Sequence, residues 1–219
     1  MVRSSLLLSA GLAFVFASCT SPGPLPAGTG RGLIAFDPSP PAGAQVWPRP
    51  IVRDGDAFTL LRGGQVKQRF VVTEVSEAGH TLQDEAGHRL RRDADLGNLG
   101  EWPEKGEEPI HALTPVDARF HWPLWVGKKW RSEFADRAAG QAMLLEVAYA
   151  IESLDTVVVP AGTFAALRIV RTVKLVVEGE KYLARTSIQW YAPDIGLDVR
   201  QLIDGSAFEL AEFTRGPQR

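Results

Sequence analysis

The residues able to do chemistry in this 219-residue chain are few and scattered. Its four histidines, His80, His88, His111 and His121, show no HExxH spacing and have no cysteine pair beside them, so neither a zinc protease helix nor a structural zinc site is written here. The single cysteine, Cys19, rules out an internal disulfide and leaves the body of the chain without a thiolate nucleophile. No GxSxG elbow, Walker loop or dinucleotide fingerprint occurs, and Gly28-x-Gly30-x-Gly32 has neither a strand pattern before it nor a helix pattern after it. Asp93, Asp95 and Glu104 fall at the first, third and twelfth positions of a calcium loop. Gly97, however, occupies a ligand position, and Asn98 stands where the turn glycine belongs. No metal or other cofactor is expected. Glu146, Asp155 and Asp198 are carboxylates in apolar surroundings. They could serve a hydrolase or lyase, with or without His121, only if the fold gathers them into one cleft, and alternating surface charge accounts for each equally well.

Arg171 is the polar residue most out of place. Between Ala165 and Val177 the odd positions carry Leu167, Ile169, Val173, Leu175 and Val177 while Arg168, Thr172 and Lys174 take the even ones, the period-2 signature of a half-buried strand. Arg171 alone interrupts the apolar face. A buried cation is costly unless paired, so it is expected to meet Glu146 or Glu152 on a neighbouring strand or to mark a polar site. After a turn at Glu178-Gly179-Glu180-Lys181, the phase resumes with Ala184, Thr186, Ile188 and Trp190 on one face and Arg185, Ser187 and Gln189 on the other. If the sheet is curved, a ligand would lie against Leu167, Ile169, Val173 and Trp190 with Arg171 as its polar contact. Trp122, Trp125 and Trp130 either plug one end of the sheet, the better reading, or line a groove for an apolar or carbohydrate ligand.

The elements that position these residues read as all-β: an antiparallel curved sheet or partly open barrel, with a smaller module before it. Pro160-Ala161-Gly162 marks a tight corner, and Asp204-Gly205 between Leu202-Ile203 and Phe208-Leu210 is type I′ hairpin chemistry. Met143, Leu145, Val147, Tyr149 and Ile151 alternate as a strand does, although the Ala, Leu and Glu content of residues 141–154 favours helix; strand is the expectation. Residues 51–100 show short strands at hairpin spacing, Leu96 to Ala118 reads as a connection with Pro103, Pro109 and Pro115, and residues 116–219 hold the main domain.

Three motifs, PLWVGKKW at 123–130, VVVPAGTFAALRI at 157–169 and WYAPDIGLDVRQ at 190–201, resemble a recurrent bacterial secreted or lipoprotein domain of unknown function, similar to the DUF3108 proteins. The resemblance covers the second half of the chain. It implies an antiparallel curved β-sheet outside the cytoplasm and no particular reaction.

Met1 to Ser18 has a basic Arg3, an apolar run from Leu6 to Phe16 and small residues at its end, the pattern of a secretion signal. Phe16-Ala17-Ser18-Cys19 resembles a bacterial lipobox, with Phe16 in place of the usual Leu, so Cys19 is the expected lipidation site and the membrane the expected partner through that lipid. Two or three acyl chains, at ~0.8 kcal/mol per buried methylene, anchor stably where one would not. Thr20 after the cysteine leaves the protein free to reach the outer membrane, facing the periplasm. Residues 19–50 are rich in Pro, Gly, Ala and Ser and read as an extended tether. With 24 Lys and Arg against 26 Asp and Glu, the chain lacks the basic excess needed to bind nucleic acid. Two functions stay open: a non-catalytic envelope lipoprotein binding an apolar ligand or an envelope protein, and an envelope hydrolase or lyase acting in an aromatic-lined cleft.

Overall fold

The computed structural model describes residues 30–218, so Cys19 and the signal-like segment lie outside the described residues. Thirteen strands occur among them: Gly32–Phe36 (β1), Ala57–Arg62 (β2), Val66–Ser76 (β3), Gly79–Asp84 (β4), Arg89–Asp93 (β5), Asn98–Trp102 (β6), His111–Asp117 (β7), Lys129–Ala138 (β8), Gln141–Val159 (β9), Gly162–Val177 (β10), Glu180–Ala192 (β11), Leu197–Ile203 (β12) and Ser206–Thr214 (β13). Antiparallel pairing runs from β8 down through β7 to β2, crosses to β13, and returns through β12, β11, β10 and β9 to β8. The sheet is a closed 12-stranded barrel with β1 as an extra strand. Closure follows from the length of β9. Its 19 residues pair with β8 from Gln141 to Ala150 and with β10 from Leu144 to Val159, so one strand joins both edges.

The helix-prone residues 141–154 are strand, since an alternating apolar face flanked by two strands outweighs a propensity of tenths of a kcal/mol per residue. The Asp204-Gly205 turn has φ of 49° and 75°, as a type I′ hairpin demands. Strands from residues 51–100 and from 116–219 share the one barrel. Two expectations need correction. The connection from Leu96 to Ala118 contains β6 and β7, whose alternation is hidden by Gly100 and Pro115 and completed by their neighbours' ladders. The tether is also partly structured. The apolar Leu33-Ile34-Ala35 run pairs with Arg131 and Ser132 of β8, where β7 holds only Ala135 to Ala138. The Arg31 guanidinium forks onto Glu133 with two bonds of 2.8 Å.

Strand polarity gives the barrel two unlike ends. Short turns at residues 63–64, 139–140, 178–179 and 204–205 rim one end. At the other, the Ala118–Lys128 segment forms a plug. Phe120, Leu124 and Trp125 are buried there, Leu124 pairs with Trp47, and the buried Lys128 ammonium donates to the carbonyls of His121 (2.6 Å) and Pro123 (2.7 Å). Strands β2, β4, β5 and β6 have five or six residues, short of the ~9–11 a spanning strand needs. The outward face of β8 and β10 includes Lys129, Arg131, Glu133, Arg168 and Lys174.

Candidate ligand site in the barrel lumen

One side of the barrel interior is solid. Trp130, Phe134, Val147, Tyr149, Ile151, Leu167, Ile169 and Val173 form a single buried cluster, with the Trp130 and Tyr149 rings stacked at 5.0 Å. The other side stands off and leaves a lumen of about 420 Å³, within the roughly 300–1,000 Å³ typical of small-molecule sites. Phe58, Leu60, Phe70, Leu82 and Leu90 form its apolar wall, and polar side chains from β5, β7, β10, β11 and β12 converge opposite and below. Burial grades along the axis. Gln68 and Arg185 near the turns are exposed, whereas Asp117, Arg119 and Gln189 near the plug are buried, so the mouth lies among the turns and the plug is the floor.

The floor holds three guanidinium groups and two carboxylates. Arg171 donates to Asp117 (3.0 Å) and to the Tyr149 hydroxyl (3.1 Å), and that hydroxyl donates to the other Asp117 oxygen at 2.5 Å. Burial opposes the charge of Arg171, but the Tyr149 hydroxyl and the Asp117 carboxylate outweigh it and hold its pKa above the ordinary value. Burial, then Asp117, pushes the Tyr149 phenol up, so it stays protonated. Arg119 donates to Asp198 at 2.5 Å and to the Gln189 carbonyl at 3.2 Å, and Asp198 likewise overcomes the burial of Arg119 and keeps it cationic. Arg92 has no carboxylate of its own. It forms no ion pair among the described residues, its Nε is buried without a hydrogen-bond partner, and burial followed by the field of Arg119 lowers its pKa to about 9, still charged at neutral pH. Gln189 Nε2, the Tyr191 hydroxyl and Asp198 Oδ1 are also buried without partners, and all three residues line the same lumen.

No family model matches the chain, and no curated protein matches it. Among solved structures it is similar to the hypothetical lipoprotein YmcC of Escherichia coli K12, with 8% identity, a TM-score of 0.47 and coverage of 73% of this chain and 86% of that one. It is also similar to a candidate exported protein with a YmcC-like fold from Bacteroides fragilis NCTC 9343, at 14% identity, TM-score 0.42, 78% of this chain and 100% of that one. A third similar structure is a candidate lipoprotein from Parabacteroides distasonis ATCC 8503, at 12% identity, TM-score 0.42, 77% of this chain and 97% of that one.

The residues singled out from sequence fall into three places. Leu167, Ile169, Val173 and Trp130 are spent on the solid cluster, and Trp125 with Trp122 belongs to the plug, where Trp122 stacks on Phe120 at 5.1 Å and meets Tyr191 edge-on. Among the residues expected to contact a ligand, Arg171 alone reaches the lumen, and its partner is Asp117 rather than Glu146 or Glu152. Glu152 instead binds Arg168, and Glu146 binds Lys181 and Arg131 outside the barrel. Trp190 is on the opposite face from that expected. Register pairs it with Arg168 and Arg200, while Gln189 pairs with Ile169 and Gln201, so the polar set Arg185, Ser187 and Gln189 is the one that faces the lumen. Of the three carboxylates, only Asp198 reaches the lumen. Asp155 accepts a hydrogen bond from the Trp190 indole N–H, and His121 packs against Phe36. Asp93 accepts the N–H groups of Asp95 and Gly97, which makes it a turn former. Sequence reasoning missed Arg92, Arg119, Asp117 and Tyr191. The signal available was a polar row on β11 facing an apolar row on β10, which marks a strand whose inner face is wet.

Proposed function

We propose that the protein is a non-catalytic, lipid-anchored envelope protein that binds a small molecule inside its barrel. The observation that carries this reading is the convergence of four buried, unpartnered polar atoms on a lumen of about 420 Å³, since such atoms are costly unless something satisfies them. The signal-like segment ending at Cys19 supports export and anchoring, and the second-half motifs that resemble the DUF3108 proteins accord with a location outside the cytoplasm. The solid packing of Leu167, Ile169 and Val173 moves the ligand away from that face and toward the wall of Phe58, Phe70 and Leu82.

Two measurements test the proposal. Cys19→Ser should release the protein from a salt-washed membrane fraction, and the parent's intact mass should show acyl groups. The Cys19→Ser chain should bind 1-anilinonaphthalene-8-sulfonate saturably, and adding Ser187→Trp, which fills the lumen from β11, should abolish that binding. Equal binding by both forms would place the dye elsewhere and remove the lumen reading.

A further inference from the structure

Resting on the lumen reading, we propose that the floor of the barrel is an anion subsite centred on Arg92, which takes the carboxylate or phosphate head of a small amphiphile. The hydrocarbon part of that molecule lies against Phe58, Phe70, Leu82 and Leu90.

Charge balance is the first support. Asp117 is matched to Arg171 and Asp198 to Arg119, which leaves one guanidinium, Arg92, in excess at the closed end. Nearer the mouth the ionisable side chains have partners: Arg185 pairs with Asp204, His111 with Asp136, and Glu101 with His88. An uncompensated buried charge is among the more destabilising features a fold can carry, so its retention beside an open cavity points to a counter-charge supplied from outside. The identity of the idle atoms is the second support. Arg92 Nε and Gln189 Nε2 are donors, the Tyr191 hydroxyl donates or accepts, and Asp198 Oδ1 can only accept. A head group with two or more acceptor oxygens and one O–H, as in a phosphate monoester or a 2-hydroxy acid, satisfies all four. Three of the four residues are tied together, because Tyr191 pairs with Asp198 across β11 and β12 and Arg119 bridges Asp198 to Gln189, and Arg92 lines the same lumen within the fields of Arg119 and Asp198. The apolar wall is the third support. Phe58 and Phe70 stack at 5.2 Å and face a space wide enough for a short chain, with no polar group of their own to offer.

The test is isothermal calorimetry on the full chain in a nonionic detergent, against blank micelles, with hexyl phosphate, 2-hydroxyhexanoate, inorganic phosphate and hexanol as probes. Hexyl phosphate should bind saturably and hexanol far more weakly. Arg92→Gln should weaken hexyl phosphate binding on the order of 10- to 100-fold while its unliganded thermal midpoint stays level or rises. Tyr191→Phe keeps the ring on Phe120 and should weaken binding about 2- to 10-fold, which preserves the test if Arg92→Gln does not fold. Inorganic phosphate separates the two sources of the head group: a gain of about tenfold or more from the hexyl chain assigns an amphiphile, and equal affinity overturns the apolar half of the proposal. Hexanol binding as well as hexyl phosphate, with Arg92→Gln unchanged, overturns the anion subsite but leaves lumen binding intact. Binding of no probe by the parent overturns both.

Discussion

The wall built from β8, β9 and β10 and the wall built from β2 to β6 bound the same barrel, yet one fills its side of the interior and the other leaves it empty. The first has strands of 10, 19 and 16 residues with aromatic and branched side chains in register, so Trp130, Tyr149 and Ile169 interlock. In the second, strands β4 to β6 have five or six residues, and Leu82, Leu90 and Arg92 line the lumen where the first wall has interlocking rings. Long strands with matched large residues fix the fold. Short strands with mid-sized ones hold open a space whose polar floor costs stability, the usual position of a binding site in a marginally stable protein.

The two walls meet at the Asp117 carboxylate, which lies between Tyr149 and Arg171. Asp117→Asn leaves Arg171 buried without its counter-charge and is expected to cost about 3–5 kcal/mol in urea denaturation, the largest effect of the set. A loss below about 1 kcal/mol would mean that the guanidinium finds water in the lumen. Next, Ile169→Ala on the solid wall should cost about 2–5 kcal/mol, because the cavity it leaves cannot collapse, whereas Leu90→Ala on the stand-off wall should cost less than half as much because its side chain already borders a void. Equal losses would erase the distinction between the walls.

A pH dependence sharpens the same contrast. His80 is buried beneath the stand-off wall, and burial, then the field of Arg92, lowers its pKa to about 4. The unfolded imidazole takes up its proton near pH 6.5 while the folded one resists, so the stability this group contributes is fully present above about pH 6.5 and is lost as pH falls through 4, in total roughly 3 kcal/mol. Denaturation midpoints measured across that range should flatten in His80→Gln; an unchanged slope would assign the acid sensitivity to other groups. The smallest expected effect lies at the mouth. Gly205 has φ 75° with open space where a Cβ would sit, so Gly205→Val should cost about 1–2 kcal/mol through backbone strain alone and Gly205→Ala less. No change in either variant would show that the hairpin can re-form with another turn.

Much of this fold is legible in the chain because β-structure writes itself locally. Alternation over Ala165 to Val177, the Asp204-Gly205 turn and the corner at Pro160 each depend on neighbours in sequence and stand where the pattern puts them, while the turn read over Glu178 to Lys181 is tightened to Glu178-Gly179 by the strand pairing of Glu180 and Lys181. Strand β1 was hidden because five residues in a Pro- and Gly-rich stretch carry too little pattern, and only the vacant half of the β8 edge gives them a place. The inner face of β11 was misread because an apolar row normally faces inward; here Ser187 and Gln189 do, since the lumen they face is polar.

The all-β class, the hairpins and the strand phases are written along the chain, set by period-2 burial and by the few residues that tolerate positive φ. Closure, the lumen and its charge arise from contacts between strands distant in sequence. Arg92, Asp117, Arg171, Gln189 and Asp198 come from five strands as much as 106 positions apart, and no local periodicity encodes which inward side chains will meet once β9 has joined the two edges of the sheet.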